Sequence, residues 1–395
     1  MVDKTPAAIT DAEKIERSRA GLNPERHTVK LKNVATVGAI ALVAAIALSS
    51  CSSTSTDKSG SKPAATTKLS GTITTGGSSA QANAQQAWTT AFQAQQPGVT
   101  INYDKSQGSG GGITNWLAGT YDFAGSDAAL TSDQETSAAS VCGSGTGLNI
   151  PVYLSGVAII FNLKGVSKLN LDSATIAGIF AKQITKWNDP AIAKANPGVT
   201  LPADKITPVV RADGSGTTAN FTTYLSQVAP SIWKFPVSTA WPVTGESAQQ
   251  GGSGIVSTVA AGNDTIGYAD QSSIGSATAA SVQLGTTTTY VAYSAAGATQ
   301  SFKEAASSKP QGTGDLTQAL DYTKISGANS YPIPLLSYDV LCSQFKSSKQ
   351  AALVKGYLGF ITSTTGQAVA AKNAGSAPLP ANILTEAATT LKSVK

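Results

Sequence analysis

Three short stretches of the chain combine glycine with hydroxyl side chains: Gly76-Gly77-Ser78-Ser79, Gly108-Ser109-Gly110-Gly111-Gly112 and Asp213-Gly214-Ser215-Gly216-Thr217-Thr218. Each stands between a strand-like and a helix-like segment. At such a junction the first-turn N–H groups of the helix have no intrahelical partner and lie at the positive end of the helix dipole. Glycine lets backbone approach a ligand closely, and Ser or Thr adds a hydroxyl donor. The chemistry these residues can do is anion capture. A serine at one such turn is equally well explained as a helix N-cap. Three in one chain, each after a strand, favour an anion cradle.

The third stretch carries charge as well. Arg211 and Asp213 are two residues apart, on one side of an extended segment. A guanidinium offers a planar fork to an oxyanion, and the neighbouring acid can hold that fork in place. A surface salt bridge is the alternative, but it does not account for the Ser-Gly-Thr that follows. Asp127, in Asp122-Phe123-Ala124-Gly125-Ser126-Asp127, places an acid where an anion should bind. The contradiction disappears if the anion carries a proton. A buried carboxylate accepts an O–H from a protonated oxyanion such as phosphate, whereas sulfate presents only lone pairs. A turn or N-cap aspartate is the other reading of Asp127.

Composition removes several function classes. The single histidine is His27. If the leader is removed, no Ser-His-Asp triad, Cys-His pair or histidine-ligated metal site can form. No carboxylate cluster has metal-ligand spacing, no G-x-S-x-G elbow is present, and no Gly-Lys dipeptide supplies a P-loop. No metal or cofactor is expected. Charged residues are 13% of the chain and the net charge is +5, with no Lys/Arg block interleaved with aromatics, so nucleic acid is not an expected partner.

Val34–Leu48 is an apolar run of fifteen residues preceded by Lys30 and Lys32. That is short for a membrane span of about 20 residues and suits a signal-peptide core. Leu48-Ser49-Ser50-Cys51 follows, an aliphatic residue, two small residues and a cysteine, the pattern of a bacterial lipobox. Residues 1–50 are therefore expected to be a signal peptide and Cys51 the acylated first residue of the mature chain. Residues 1–28 read as an upstream extension of a start at Val29. Residues 51–67, polar and low in complexity, read as a flexible tether. The expected location is the cell membrane, lipid-anchored on its extracytoplasmic face.

From residue 68 strand-like and helix-like stretches alternate. Ala80–Gln96 is helical, with Trp88 and Phe92 at i, i+4, and Pro97-Gly98 ends it. The β-α-β-α-β order predicts an α/β fold with a mostly parallel sheet. Two long apolar strands, Ile150–Asn162 and Tyr331–Cys342, bracket a middle block. They predict two lobes joined by two crossings: lobe I over 68–150 and 335–395, lobe II over 151–334, with the ligand in the cleft. The helical pattern Ala351–Ala374 is read as one helix. With Cys51 acylated, Cys142 and Cys342 are an even pair in an oxidising compartment. Cys142 precedes the first crossing strand and Cys342 ends the returning one, which predicts a disulfide between them; two separate buried thiols are the alternative.

These residues resemble the phosphate-binding proteins of the phosphate ABC transporter, the PstS family. Its signatures are matched by Gly77-Ser78-Ser79-Ala80, by Gly108 to Gly112, by Asp122 to Leu130 and by Arg211 to Thr217; Ile184–Pro202 and Ile266-Gly267-Tyr268 are further landmarks. The resemblance covers about residues 70–385. It implies a type II periplasmic-binding-protein fold with two hinge crossings. It also implies a monomeric, non-enzymatic protein that captures inorganic phosphate and delivers it to the permease subunits of an ABC importer. The implied ligand set is Ser79 and the Ala80 amide, Ser109, Asp127, Arg211, Ser215, Gly216 and Thr217, with Asp213 orienting Arg211. Ser79-Ala80 departs from the family, which usually has Thr and a bulky apolar residue there, and a register one residue earlier would bring in Ser78. Arsenate, which carries the same protons, is the alternative ligand; a secreted phosphate-ester hydrolase is a more remote alternative.

Overall fold

Strand and helix alternate from Ser70 onward in the computed structural model, which describes residues 68–395. The expected signal peptide, the acylation residue Cys51 and the tether lie outside the described residues. Strand Ser70–Gly77 leads into helix Ala82–Gln95, which buries Trp88 and Phe92 on one face. Strand Gly98–Asp104 returns parallel to the first, helix Gly108–Leu117 follows, and strand Phe123–Ser126 pairs parallel on the other side. β-α-β crossovers of this kind place a helix over the sheet and the carboxyl ends of the parallel strands on one edge.

Gly147–Asn162 is a single strand of 16 residues. At about 3.3 Å per residue it is roughly 50 Å long. Its first part pairs antiparallel with Pro334–Cys342, from Gly147↔Cys342 to Gly156↔Pro334. Its second part pairs antiparallel with Thr265–Asp270, from Val157↔Asp270 to Asn162↔Thr265. Strands Thr207–Arg211 and Ser247–Gln249 complete the far side, both parallel to their neighbours. Among the described residues this path orders the main sheet as Gly98–Asp104, Ser70–Gly77, Phe123–Ser126, Pro334–Cys342, Gly147–Asn162, Thr265–Asp270, Thr207–Arg211, Ser247–Gln249. The architecture is the expected two-lobed α/β fold. Within each lobe the short strands of this path run parallel to one another, as the sequence predicts, whereas the small side sheets Ser281–Gln283 with Tyr290–Val291 and Ala306–Ser308 with Gln318–Leu320 pair antiparallel. The two long strands run antiparallel to each other because one carries the chain out to the second lobe and the other brings it back.

Local departures have local causes. Gly108–Gly112 does not precede its helix but forms the first turns of it. The pattern Ala351–Ala374 divides into Ser348–Ile361 and Thr364–Ala374. Ser363 caps the second helix by accepting the Gly366 N–H at 3.0 Å. A Cβ at Gly366 would lie 2.0 Å from the Phe360 carbonyl oxygen, so the tight break needs glycine. The amphipathic pattern Ala174–Trp187 is helical only as Ser173–Phe180, and Lys182 just beyond takes a left-handed φ of 60°.

The core runs through both lobes. Trp88 sits edge-on to Tyr153 of the long strand in the first, and Phe180, Phe221, Trp241 and Tyr268 pack together in the second. Cys142 and Cys342 form the expected disulfide, with Cα atoms 5.1 Å apart, tying the end of helix Ser132–Cys142 to the end of the return strand. No helix among the described residues is long and apolar enough to cross a membrane.

Candidate anion site

Strands Ser70–Gly77, Phe123–Ser126 and Thr207–Arg211 deliver their carboxyl ends to one place, where loops of the two lobes meet. Ligand crevices of open α/β sheets lie at such ends. Asp127, which follows Phe123–Ser126, is at the centre and is 3% exposed. Its Oδ1 accepts the Ser78 hydroxyl, in a short contact, and the Ser337 hydroxyl at 2.7 Å. Its Oδ2 accepts the Thr217 hydroxyl from the other lobe at 2.9 Å. Its N–H donates to Ser109 Oγ at 3.2 Å, and its carbonyl accepts the Asn220 amide at 2.5 Å. Burial pushes the carboxyl above its ordinary range; the Ser78, Ser337 and Thr217 hydroxyls and the Arg211 charge pull the other way.

Arg211 ends its strand 4% exposed. Its Nε donates to Asp213 Oδ1 at 2.6 Å and one Nη donates to Oδ2, a two-pronged clamp that fixes the guanidinium plane. Asp213 Oδ1 also accepts the Gly251 N–H at 3.1 Å. Burial alone would raise the Asp213 carboxyl, but the bonds and charge of Arg211 outweigh it, and the group titrates below its ordinary value. Ser215 is the N-cap of helix Gly216–Val228 and accepts the Thr218 N–H at 3.1 Å. That bond uses a lone pair and leaves the hydroxyl proton to donate. The Gly216 and Thr217 amides belong to the first turn of that helix, where N–H groups are free of intrahelical bonds. Behind them the Tyr268 hydroxyl meets Thr218 Oγ1 at 2.7 Å and accepts the Arg211 N–H at 3.4 Å.

The lobes approach without a side chain between them at four glycines. The Gly110 N–H donates to the Gly214 carbonyl at 2.8 Å. Gly108 has φ +63°, and a Cβ there would fall 2.2 Å from Asp213 Oδ2. A Cβ on Gly216 would fall 2.6 Å from Ser109 Oγ and 2.7 Å from Asp127 Cβ.

Most residues singled out in the sequence meet here: Ser109, Asp127, Arg211, Asp213, Ser215, Gly216 and Thr217. The first loop divides. Ser78, fully buried, faces Asp127, while half-buried Ser79 turns outward and accepts the Gly252 N–H at 3.1 Å across the cleft mouth. Ala80 is one step behind, its N–H donating to Ser78 Oγ at 3.1 Å. Sequence reasoning missed Ser337, Gln81 and Asn220. Ser337 had only a faint signal, a small hydroxyl residue beside Tyr338 and Asp339 in the mostly apolar run Pro334–Cys342. Among the described residues no group of three or more His, Cys, Asp or Glu could hold a metal ion.

A family model described as a PBP superfamily domain matches residues 62–365. The phosphate-binding protein PstS 3 of Mycobacterium tuberculosis (strain ATCC 25618 / H37Rv) is 35% identical over 309 residues, covering 73% of this chain and 77% of that protein. The phosphate-binding protein PstS of Xylella fastidiosa is 36% identical over 269 residues, covering 64% and 67%. Among solved structures, a phosphate-binding protein from Stenotrophomonas maltophilia superposes with a TM-score of 0.62 at 21% identity, covering 81% of this chain and 93% of that one. The periplasmic phosphate-binding protein PfluDING, bound with phosphate, gives 0.64 at 21% identity, covering 80% and 92%. At that identity the likeness establishes the fold.

Proposed function

We propose, on the premise that this chain belongs to the PBP superfamily and within it to the PstS phosphate-binding proteins, that it captures inorganic phosphate outside the cytoplasmic membrane and passes it to the permease subunits of an ABC importer. The observation that carries the reading is Asp127: a fully buried acid set opposite a clamped arginine, inside a ring of hydroxyl and first-turn amide donors. Arg211, the Ser109 and Ser215 hydroxyls and the Gly216 and Thr217 amides supply donors to the oxygens of the anion, and Asp127 accepts its proton. Ser78 joins the set through Asp127, and Ser79 with the Ala80 amide closes the first loop over the site. The lobes divide as 68–150 with 335–395 and 151–334, and they open to admit the ligand. Cys51 carries the lipid anchor, and the protein acts as a monomer without catalysis.

Calorimetric titration of the full chain with phosphate, arsenate and sulfate tests this. Saturable phosphate binding with one site per chain, and none for sulfate at neutral pH, is the expected result. Comparable sulfate binding would refute the role of Asp127, and arsenate binding tighter than phosphate would reassign the ligand.

A further inference from the structure

Ser337 lies on the return strand, outside every motif that marks the anion loops. It is fully buried, as are Gln81, Gln85 and Tyr357 behind it. These side chains form one continuous hydrogen-bonded line. The Tyr357 hydroxyl donates to Gln85 Oε1 at 2.9 Å, and Gln85 Nε2 donates to Gln81 Oε1 at 2.8 Å. Gln81 Nε2 donates to Ser337 Oγ at 2.7 Å, and Ser337 Oγ donates to Asp127 Oδ1 at 2.7 Å.

The direction of the line is forced. Gln81 Nε2 also lies 2.9 Å from the Tyr338 carbonyl oxygen, which can only accept, so the amide nitrogen must face that way. Its Oε1 then faces Gln85 and requires a donor there. Ser337 has one proton; with its oxygen accepting from Gln81, that proton goes to Asp127 Oδ1 rather than to the Ser126 carbonyl at 3.3 Å. Ser78 accepts the Ala80 N–H and so donates to the same Oδ1. Two hydroxyl donors therefore converge on one carboxylate oxygen, both from the first lobe. The other oxygen, Oδ2, is met by Thr217 of the second lobe.

We propose that Ser337 is a specificity-determining positioning residue: its hydroxyl, aimed by the one-way chain from Tyr357 through Gln85 and Gln81, occupies Oδ1 of Asp127 and leaves Oδ2 as the acceptor offered to a protonated oxyanion. The inference rests on the phosphate reading above. Aligned hydrogen bonds polarise one another, so the chain presents its positive end to Asp127 and favours the charged form of a carboxyl that burial pushes the other way. The other charged or titratable groups around Asp127 do not replace it. Arg211 favours the charged carboxyl through its own charge, but its Nε and one Nη bond Asp213 and not Asp127. Tyr103 donates its proton to the Ser78 carbonyl at 2.7 Å, and burial holds that phenol well above its ordinary value. Asp339, next but one to Ser337, is pushed by burial up to about 8 against the bonds of Gln85 and Gln81, which favours its uncharged form.

Sulfate reports on this arrangement, because it has no proton to give and binds only once Asp127 itself is protonated. Titrate the full-length wild type, Ser337→Ala and Gln81→Met with phosphate and with sulfate between pH 5 and 9. In Ser337→Ala the onset of sulfate binding should move up by about one pH unit, and the preference for phosphate at pH 7 should fall about tenfold. Gln81→Met keeps the serine but frees its proton for Ser126, and should shift the onset in the same direction by less. Coincident pH profiles for wild type and both variants would overturn the proposal. So would a loss of affinity equal for both anions at every pH, which is what a merely structural serine would give. Melting temperatures show whether each variant folds, and either variant alone suffices to read the shift. If the wild type binds neither anion at any pH, the phosphate reading falls as well; flat profiles in a phosphate-binding wild type sink this inference alone.

Discussion

Gly216→Ala is expected to weaken ligand binding while leaving the fold as stable as before or more so. The new methyl would sit 2.6 Å from Ser109 Oγ, 2.7 Å from Asp127 Cβ and 2.8 Å from Asp127 N. Ordinary contacts between such atoms begin near 3.5 Å. Two of the three neighbours are the amide nitrogen and Cβ of Asp127, which cannot rotate aside, so the lobes must part by about 1 Å. Forcing extra volume into a packed contact costs about 1–3 kcal/mol. Charged against the closed state alone, this is an affinity loss of about 5- to 150-fold. In the open state the methyl faces the cleft. Gly216 begins helix Gly216–Val228 with an ordinary negative φ, where alanine is the better helix former by up to about 1 kcal/mol. Titration calorimetry with phosphate and a thermal melt without it read the two effects separately. A dissociation constant within twofold of wild type would refute the claim that closure brings these backbones into contact. A fall in both affinity and melting temperature would show instead that the methyl damages a lobe.

Asp127→Asn should weaken phosphate by about 1–3 kcal/mol, the scale of a disturbed buried hydrogen bond, and should bring sulfate binding up from undetectable. Equal loss of both anions by calorimetry would contradict the proton-counting account. Arg211→Ala should weaken every oxyanion, and by more, because it also strands the buried Asp213 carboxylate without its cation; unchanged arsenate and phosphate affinities would remove Arg211 from the site. Cys142→Ser with Cys342→Ser opens a link spanning a sequence separation of 200 and should lower stability by about 3–5 kcal/mol in denaturant unfolding while leaving phosphate affinity intact. Cys51→Ala should release the protein from the membrane without altering binding, and a variant that stays membrane-bound on fractionation would rule out lipidation at Cys51.

The sequence makes some of this molecule legible and hides the rest for physical reasons. Helix Ala82–Gln95 is readable because Trp88 and Phe92 repeat at helical spacing and Pro97-Gly98 stops the turn. The antiparallel pairing of Gly147–Asn162 with Pro334–Cys342 is not, because an unbroken apolar strand announces burial on both faces and says nothing of direction. The break at Ser363 is hidden because Thr, Ser and Gly are all tolerated within a helix, and only the packing of Gly366 against Phe360 makes it necessary. Asp127, Arg211 and Thr217 stand out because charge and hydroxyls inside glycine loops have few structural uses. Ser78 and Ser79 are indistinguishable on paper; they differ in the way the chain turns after Gly77, whose φ of +131° is closed to other residues. Ser337 is hidden by its neighbours, whose apolar character makes the strand read as core.

The order in which the lobes appear along the chain bears on how the protein comes to be folded at all. The second lobe is continuous in sequence and can assemble from what lies between the two long strands. The first cannot. Its sheet is completed only by Pro334–Cys342, and its helices Ser348–Ile361 and Thr364–Ala374 come later still. Half of Gly147–Asn162 must therefore wait, unpaired along one edge, until nearly the whole chain has emerged. Pairings of such long range are slow to form, since loop closure must precede any gain from contact. Throughout that wait the thiol of Cys142 is exposed to wrong partners. Its closure with Cys342 becomes a time stamp: trapping free thiols during refolding would date the moment the first lobe is finished, and comparison with burial of Trp241 in the second would show which lobe is completed first.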